Sequence, residues 1–108
     1  MKYFCFNGPS PHASLWDKTG GDLRFLGYIS PESLEGTSFS SSNITKKEVA
    51  DIIYDKIGIF VPVVDDKFIK GVATGDHIIC FCTEDEKVIL DSNCESVRIR
   101  DFEIVPRY

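Results

Sequence analysis

The stretch from Ile44 to Gly58 constrains this chain most, because its spacing fits one conformation. Val49, Ile52, Ile53 and Ile57 recur at three- and four-residue intervals, while Lys46, Lys47, Asp51 and Asp55 fall on the remaining face. That is the pattern of an amphipathic helix with one buried stripe. Thr45 followed three residues later by Glu48 reads as a capping box, flanked by Ile44 and Val49 as a hydrophobic staple. Gly58 stands where a left-handed residue closes such a helix. The spacing therefore predicts a helix from Thr45 to Ile57, about three and a half turns long. Its stripe needs a cover, and every other apolar run in the chain is strand-like.

Lys2 to Phe6 is a continuous apolar and aromatic run, stopped by Asn7-Gly8-Pro9-Ser10-Pro11, a rigid loop that also carries His12. Trp16 follows among turn residues. Leu23 to Ile29 reads as a second strand, with Gly27 marking a bulge or a close backbone approach. Ser30 and Pro31 predict a single helical turn through Leu34, ended by Gly36. Thr37 to Asn43, rich in serine and without charge, reads as a loop leading to the helix. Ile59 to Val64 reads as a strand that Pro62 confines to an edge or bend, and Lys67 to Val72 as a short strand interrupted by Gly71. His77 to Cys82 has the unbroken apolarity of a central strand covered on both faces. The acidic turn Glu84-Asp85-Glu86 leads from it into Lys87 to Leu90, which predicts a hairpin. In Val97 to Val105 the apolar parity slips after Arg100, which predicts a bulge there. Arg98 and Arg100 share a face, read as a solvated stripe in preference to an anion-binding pair. The fold expected is α+β: one domain over residues 1–108, a mixed sheet of about five strands, and the Thr45 to Ile57 helix across one face.

No apolar run approaches the roughly 20 residues of a membrane span, and the first residues lack the features of a secretory leader, so a cytoplasmic setting is expected. With 17 acidic against 12 basic residues the formal charge is −5, which excludes nonspecific binding to DNA through phosphate neutralisation. Cys5, Cys80, Cys82 and Cys94 lie in or beside apolar runs and read as buried free thiols. Cys80 and Cys82 share one strand face, too close in sequence for an unstrained disulfide. Together with His77 they are the one combination that resembles a metal set, but without a C-x-x-C knuckle. No metal or cofactor is expected. No phosphate loop, metalloprotease helix or nucleophile elbow occurs, and Asp76-His77 reads as an ordinary turn entering a strand.

One place gathers amides, hydroxyls and positive charge together: the serine-rich stretch running into the helix N-terminus at Lys46 and Lys47. Unpaired N–H groups and the helix dipole there favour a phosphate. With the loop after the first strand, the candidate ligand-binding residues are Asn7, Ser10, Ser41, Ser42, Lys46 and Lys47. A second reading is a non-enzymatic module whose acidic surface and sheet edge dock on a protein, with Glu84, Asp85 and Glu86 most exposed.

From Asn7 to Phe102 the order of features resembles the small viral and phage ring nucleases, anti-CRISPR proteins that cleave cyclic tetra-adenylate. Asn7-Gly8-Pro9-Ser10 is similar to that family's Asn-x-x-Ser turn after its first strand. Ser42-Asn43-Ile44 with Ala50, Ile53 and Ile57-Gly58 is similar in spacing to its ligand-binding helix. Phe68-Ile69, Gly75-Asp76 and Ile78-Ile79 match its Gly-Asp turn and central strand, and Phe102-Glu103-Ile104 its closing strand. The resemblance implies a viral or mobile-element protein acting against host defence, a homodimer holding a cyclic oligonucleotide or similar phosphate ligand across its two-fold axis. The family's histidine has no counterpart, Lys46 standing near its place. The resemblance therefore implies binding and does not decide whether cleavage occurs.

Overall fold

The computed structural model describes residues 1–11, 21–66, 69, 71–91 and 93–106. The expectations placed on His12, Trp16, Lys67, Phe68 and Lys70 lie outside these residues. Strands β1 (Tyr3–Asn7), β2 (Asp22–Ile29), β3 (Phe39–Ser42), β4 (His77–Thr83) and β5 (Val97–Val105) form one mixed sheet in the order β2-β5-β4-β1-β3. β1 is parallel to both β4 and β3, while β5 is antiparallel to β4 and β2. Helix α1 (Lys47–Ile57) packs on one face, and a 3-10 turn occupies Pro31–Leu34. The α+β expectation is met.

The sheet carries a core on each face, and this accounts for the apolar patterns along its strands. On the helix side, Val49 and Ile53 join Cys5, Ile79, Phe81, Val97 and Ile99. On the other side lie Phe4, Phe6, Ile78, Cys80, Phe102 and Ile104, with Ile69 and Val72. β1 and β4 have continuous apolarity because alternate side chains enter different cores. The parity slip in β5 has the same origin. Val97 and Ile99 serve the helix-side core and Phe102 and Ile104 the opposite one, so β5 pairs with β4 without interruption and the expected bulge between Arg100 and Asp101 is absent from that ladder. The irregularity sits on β2, between Phe25 and Gly27, where Gly27 has φ 122°, a conformation costly for any other residue.

Four local expectations need correction. The helix begins at Lys47, with Lys46 rather than Thr45 as N-cap and no side-chain cap. Ile44 is buried and its carbonyl accepts the Val64 N–H, which holds the chain extended through Thr45. The Thr37 to Asn43 stretch is not all loop: Phe39–Ser42 is β3. Buried β1 has backbone groups on both edges that need partners, and this segment supplies the second set, with Phe39 edge-on to Phe81. Ile59 to Val64 is extended but joins no ladder; Pro62 lacks an N–H, and the segment is held by Ser42 Oγ–H···O=C Pro62 (2.5 Å) and Val64 N–H···O=C Ile44 (2.9 Å). The turn after β4 forms, with Thr83 N–H donating to the Lys87 carbonyl. Its return limb, Lys87 to Leu90, is not a strand, because β1 and β5 already occupy both edges of β4.

All four cysteines are free and buried. Burial pushes the Cys5 and Cys80 thiols well above the ordinary range, with Arg100 partly opposing this at Cys80. Because the folded value is raised, the stabilisation is complete below the unfolded thiol pKa of about 8.5 and is lost as pH rises through the folded value. The urea midpoint should therefore fall steadily above about pH 8.5, and Ellman's reagent at pH 8 should modify these thiols only as fast as the chain opens. Immediate modification of the native protein would contradict this assignment.

Candidate functional site

The sequence-derived residues do not form one cluster. Asn7 ends β1, and its side chain forms two hydrogen bonds with the backbone of Ile89: Oδ1 accepts the Ile89 N–H at 2.9 Å, and Nδ2 donates to the Ile89 carbonyl at 3.0 Å. This pairing replaces the absent strand beyond Lys87 and holds Ile89, which is fully buried, in the helix-side core. Ser42 is also buried. Its hydroxyl donates to the Pro62 carbonyl and accepts the Ile44 N–H at 3.1 Å. Ser41 is half-buried within β3, paired with Phe4. Ser10 is exposed in the loop after β1. Lys47 points along the helix surface to Asp51 at 3.0 Å, an exposed i,i+4 pair.

What the fold does bring together is a cavity of about 300 Å³ at the N-terminus of α1, lined by Asn7, Asn43, Thr45, Lys46, Val49 and the 88–90 segment. Asn43 Oδ1 accepts the Asn7 N–H at 2.7 Å, so the Asn43 amide hydrogens remain as donors. Lys46 is the N-cap and makes no side-chain cap bond. The Lys46 carbonyl takes the Val49 N–H at 3.2 Å, and no side-chain cap covers the amides before it, so the cavity lies at the positive end of the helix dipole. Asn43 and Thr45 were not among the predicted site residues. Asn43 becomes relevant only when β1 and β3 lie side by side, a juxtaposition with no local sequence signal.

A second polar grouping was not legible in the sequence. His77 Nδ1 lies 2.8 Å from Asp101 Oδ1, with side chains only 14% and 16% exposed, and the imidazole stacks on Tyr3 at 5.1 Å between centroids. The pair is cross-strand, 24 residues apart, created by the β4–β5 ladder. Its carboxylate fixes the imidazole orientation. His77 starts β4, whereas the cavity lies near Phe81, the partner of Asn7, about 13 Å further along the strand. His77 also lies on the helix side, opposite Cys80 in the second core, so the two cannot share a metal. Among the described residues, no group of three or more His, Cys, Asp or Glu side chains is placed to hold a metal ion. Asp76, the other residue of that turn, is buried and accepts the Lys2 and Ala73 N–H groups, both at 2.9 Å.

Of the expected solvated stripe, Arg98 is exposed but Arg100 is not. The Arg100 guanidinium lies 4.4 Å from the Phe25 ring centroid, donates from Nη1 to the Pro9 carbonyl at 2.5 Å, and has its Nε buried without a partner. Arg98 faces Glu86 at 3.9 Å, and Glu86 also accepts the Tyr28 hydroxyl. The Glu84 carboxylate takes its own N–H and those of Ser96 and Glu95, and these bonds lower its pKa. The acidic turn is thus largely engaged within the chain, leaving Asp85 as its outward charge. No family model matches the sequence, and no curated protein matches it. Among the described residues no helix is long and apolar enough to cross a membrane.

Proposed function

We propose that the protein binds a phosphate-bearing ligand of the cyclic oligonucleotide class in the cavity at the N-terminus of α1. The observation that carries this reading is the N-terminus of α1, without a side-chain cap, beside a cavity that also presents Lys46, Thr45 and Asn43. Amides, a hydroxyl and an ammonium directed at one volume suit an anion. At about 300 Å³ the cavity is at the small end of ligand sites. It suits one nucleotide of such a ring, and a whole ring would span two copies of the chain across a two-fold axis. A homodimer of viral or mobile-element origin that sequesters a defence signal is the setting this implies. Among the described residues, the cavity is lined by amide, hydroxyl and ammonium groups, which suit holding a phosphate.

Calorimetric titration with cyclic tetra-adenylate should give micromolar binding that Lys46→Ala weakens at least about tenfold, a loss in the range of a charge-assisted contact. Lys47→Ala should leave the affinity within about twofold, because that side chain is held by Asp51. Absence of heat at high micromolar ligand would end the proposal. Equal losses from the two lysine variants would move the site away from the cavity.

A further inference from the structure

The other end of α1 borders a second cleft. A cavity of about 380 Å³ lies between the Pro31–Leu34 turn and the helix C-terminus, with Leu34, Ile57 and Ile59 contributing an apolar lining and Glu32 and Glu35 the charge. Among the described residues, no lysine or arginine lines it. Gly58, at φ 75°, donates its N–H to the Tyr54 carbonyl, a cap that engages one of the four terminal carbonyls and leaves the negative end of the dipole facing outward. Glu32 is held ionised by hydrogen bonds from its own backbone N–H and the Ser30 hydroxyl. Lys56 is the one base in the last turn.

The cleft also has an aromatic wall. Phe60 is 77% exposed and stacks on Tyr54 at 4.2 Å between centroids, 27° from parallel. Its neighbours Ile59 and Val61 pack inward against the core, so the ring is left outside a chain that has anchored on both sides of it. Aromatic faces, carboxylates and a helix C-terminus all attract cations, and the apolar floor suits an aliphatic stem.

We propose that this cleft is a docking site for an arginine-bearing extended segment of a partner protein. The guanidinium engages Glu32 and Glu35 and stacks on Phe60, while neighbouring apolar residues of the segment lie along the Leu34, Ile57 and Ile59 lining. Arginine fits better than lysine because its planar group combines stacking with paired hydrogen bonds to carboxylate. This site is independent of the phosphate cavity at the opposite end of the helix.

The test is a titration of the isotope-labelled full chain with the capped tripeptide acetyl-Leu-Arg-Leu-amide, followed by amide chemical shifts. Saturating shifts at Gly36, Gly58 and Phe60 are expected, at least about fivefold weaker for acetyl-Leu-Gln-Leu-amide, for Glu32→Gln with Glu35→Gln, and in half-molar salt. Phe60→Ala should weaken binding comparably; like the two glutamates it is exposed, so the fold is retained. Equal affinity for the two peptides, no effect of the double variant, or shifts centred elsewhere would overturn the proposal. So would blockage of the cleft by self-association, seen as a concentration-dependent change in size with shifts at the same amides.

Discussion

Phe81→Ala should lower the free energy of unfolding by about 3–5 kcal/mol, the range for deleting a buried phenylalanine from a packed core. Phe81 is fully buried in the central strand, on the helix side. Its ring meets Phe39 of β3 edge-on, 6.3 Å between centroids and 74° apart, above β1, where Cys5 is the helix-side residue. Truncation removes the link between the centre of the sheet and its β3 edge. Neighbours cannot collapse into the space without pulling β3 from β1. Urea unfolding of the variant should show a lower midpoint with the slope retained. A loss below about 1 kcal/mol would mean that the two rings are not packed as described.

Asn7→Ala should be costly for a different reason, and its cost separates structure from ligand binding. The asparagine satisfies both backbone groups of Ile89, whose side chain is in the core. Alanine would leave a donor and an acceptor unpaired at a buried position, each worth about 1–3 kcal/mol, so a total near 2–4 kcal/mol is expected in urea unfolding. Asn7→Asp should not rescue it. The carboxylate can still accept from the Ile89 N–H but places a second oxygen against the Ile89 carbonyl, where the amide had a donor. If Asn7→Ala were neutral in stability, the side chain would be available to a ligand, as its place after the first strand suggested from sequence.

These two residues also show where sequence reading succeeds and where it stops. Phe81 belongs to a run whose continuous apolarity could only be a strand covered on both faces, and β4 is that strand. Helix α1 was equally legible, since Val49 and Ile53 are the residues its spacing aims inward. Its start was misread because Thr45-Glu48 imitates a capping box, while the buried Ile44 and its bond from Val64 delay the first turn. Strand β3 could not be seen locally, as three of its four residues are serine; the unpaired edge of β1 requires it. Lys87 to Leu90 failed in the opposite sense, having strand-like residues but no edge left to join. The candidate site follows the same division. Lys46 was visible from its place at a helix start, whereas Asn43, the Asn7 clamp and the His77–Asp101 pair arise only from strand neighbours distant in the chain.

The placement of β1 sets an order on how the chain can assemble. It precedes the other described strands in the chain, yet it lies inside the sheet, and its partner β4 follows about seventy residues later. Until His77 to Thr83 is available, the Phe4 and Phe6 side of β1 has no core to enter, because Ile78, Cys80, Phe102 and Ile104 all come later. Before that, β3 can only pair along the outer edge of β1 and α1 can only cover its other face. Folding must therefore wait for a long loop closure, so refolding should be slow for a chain of this length. Any truncation before β4 leaves an aromatic strand with an open edge, the kind of segment that pairs with other chains.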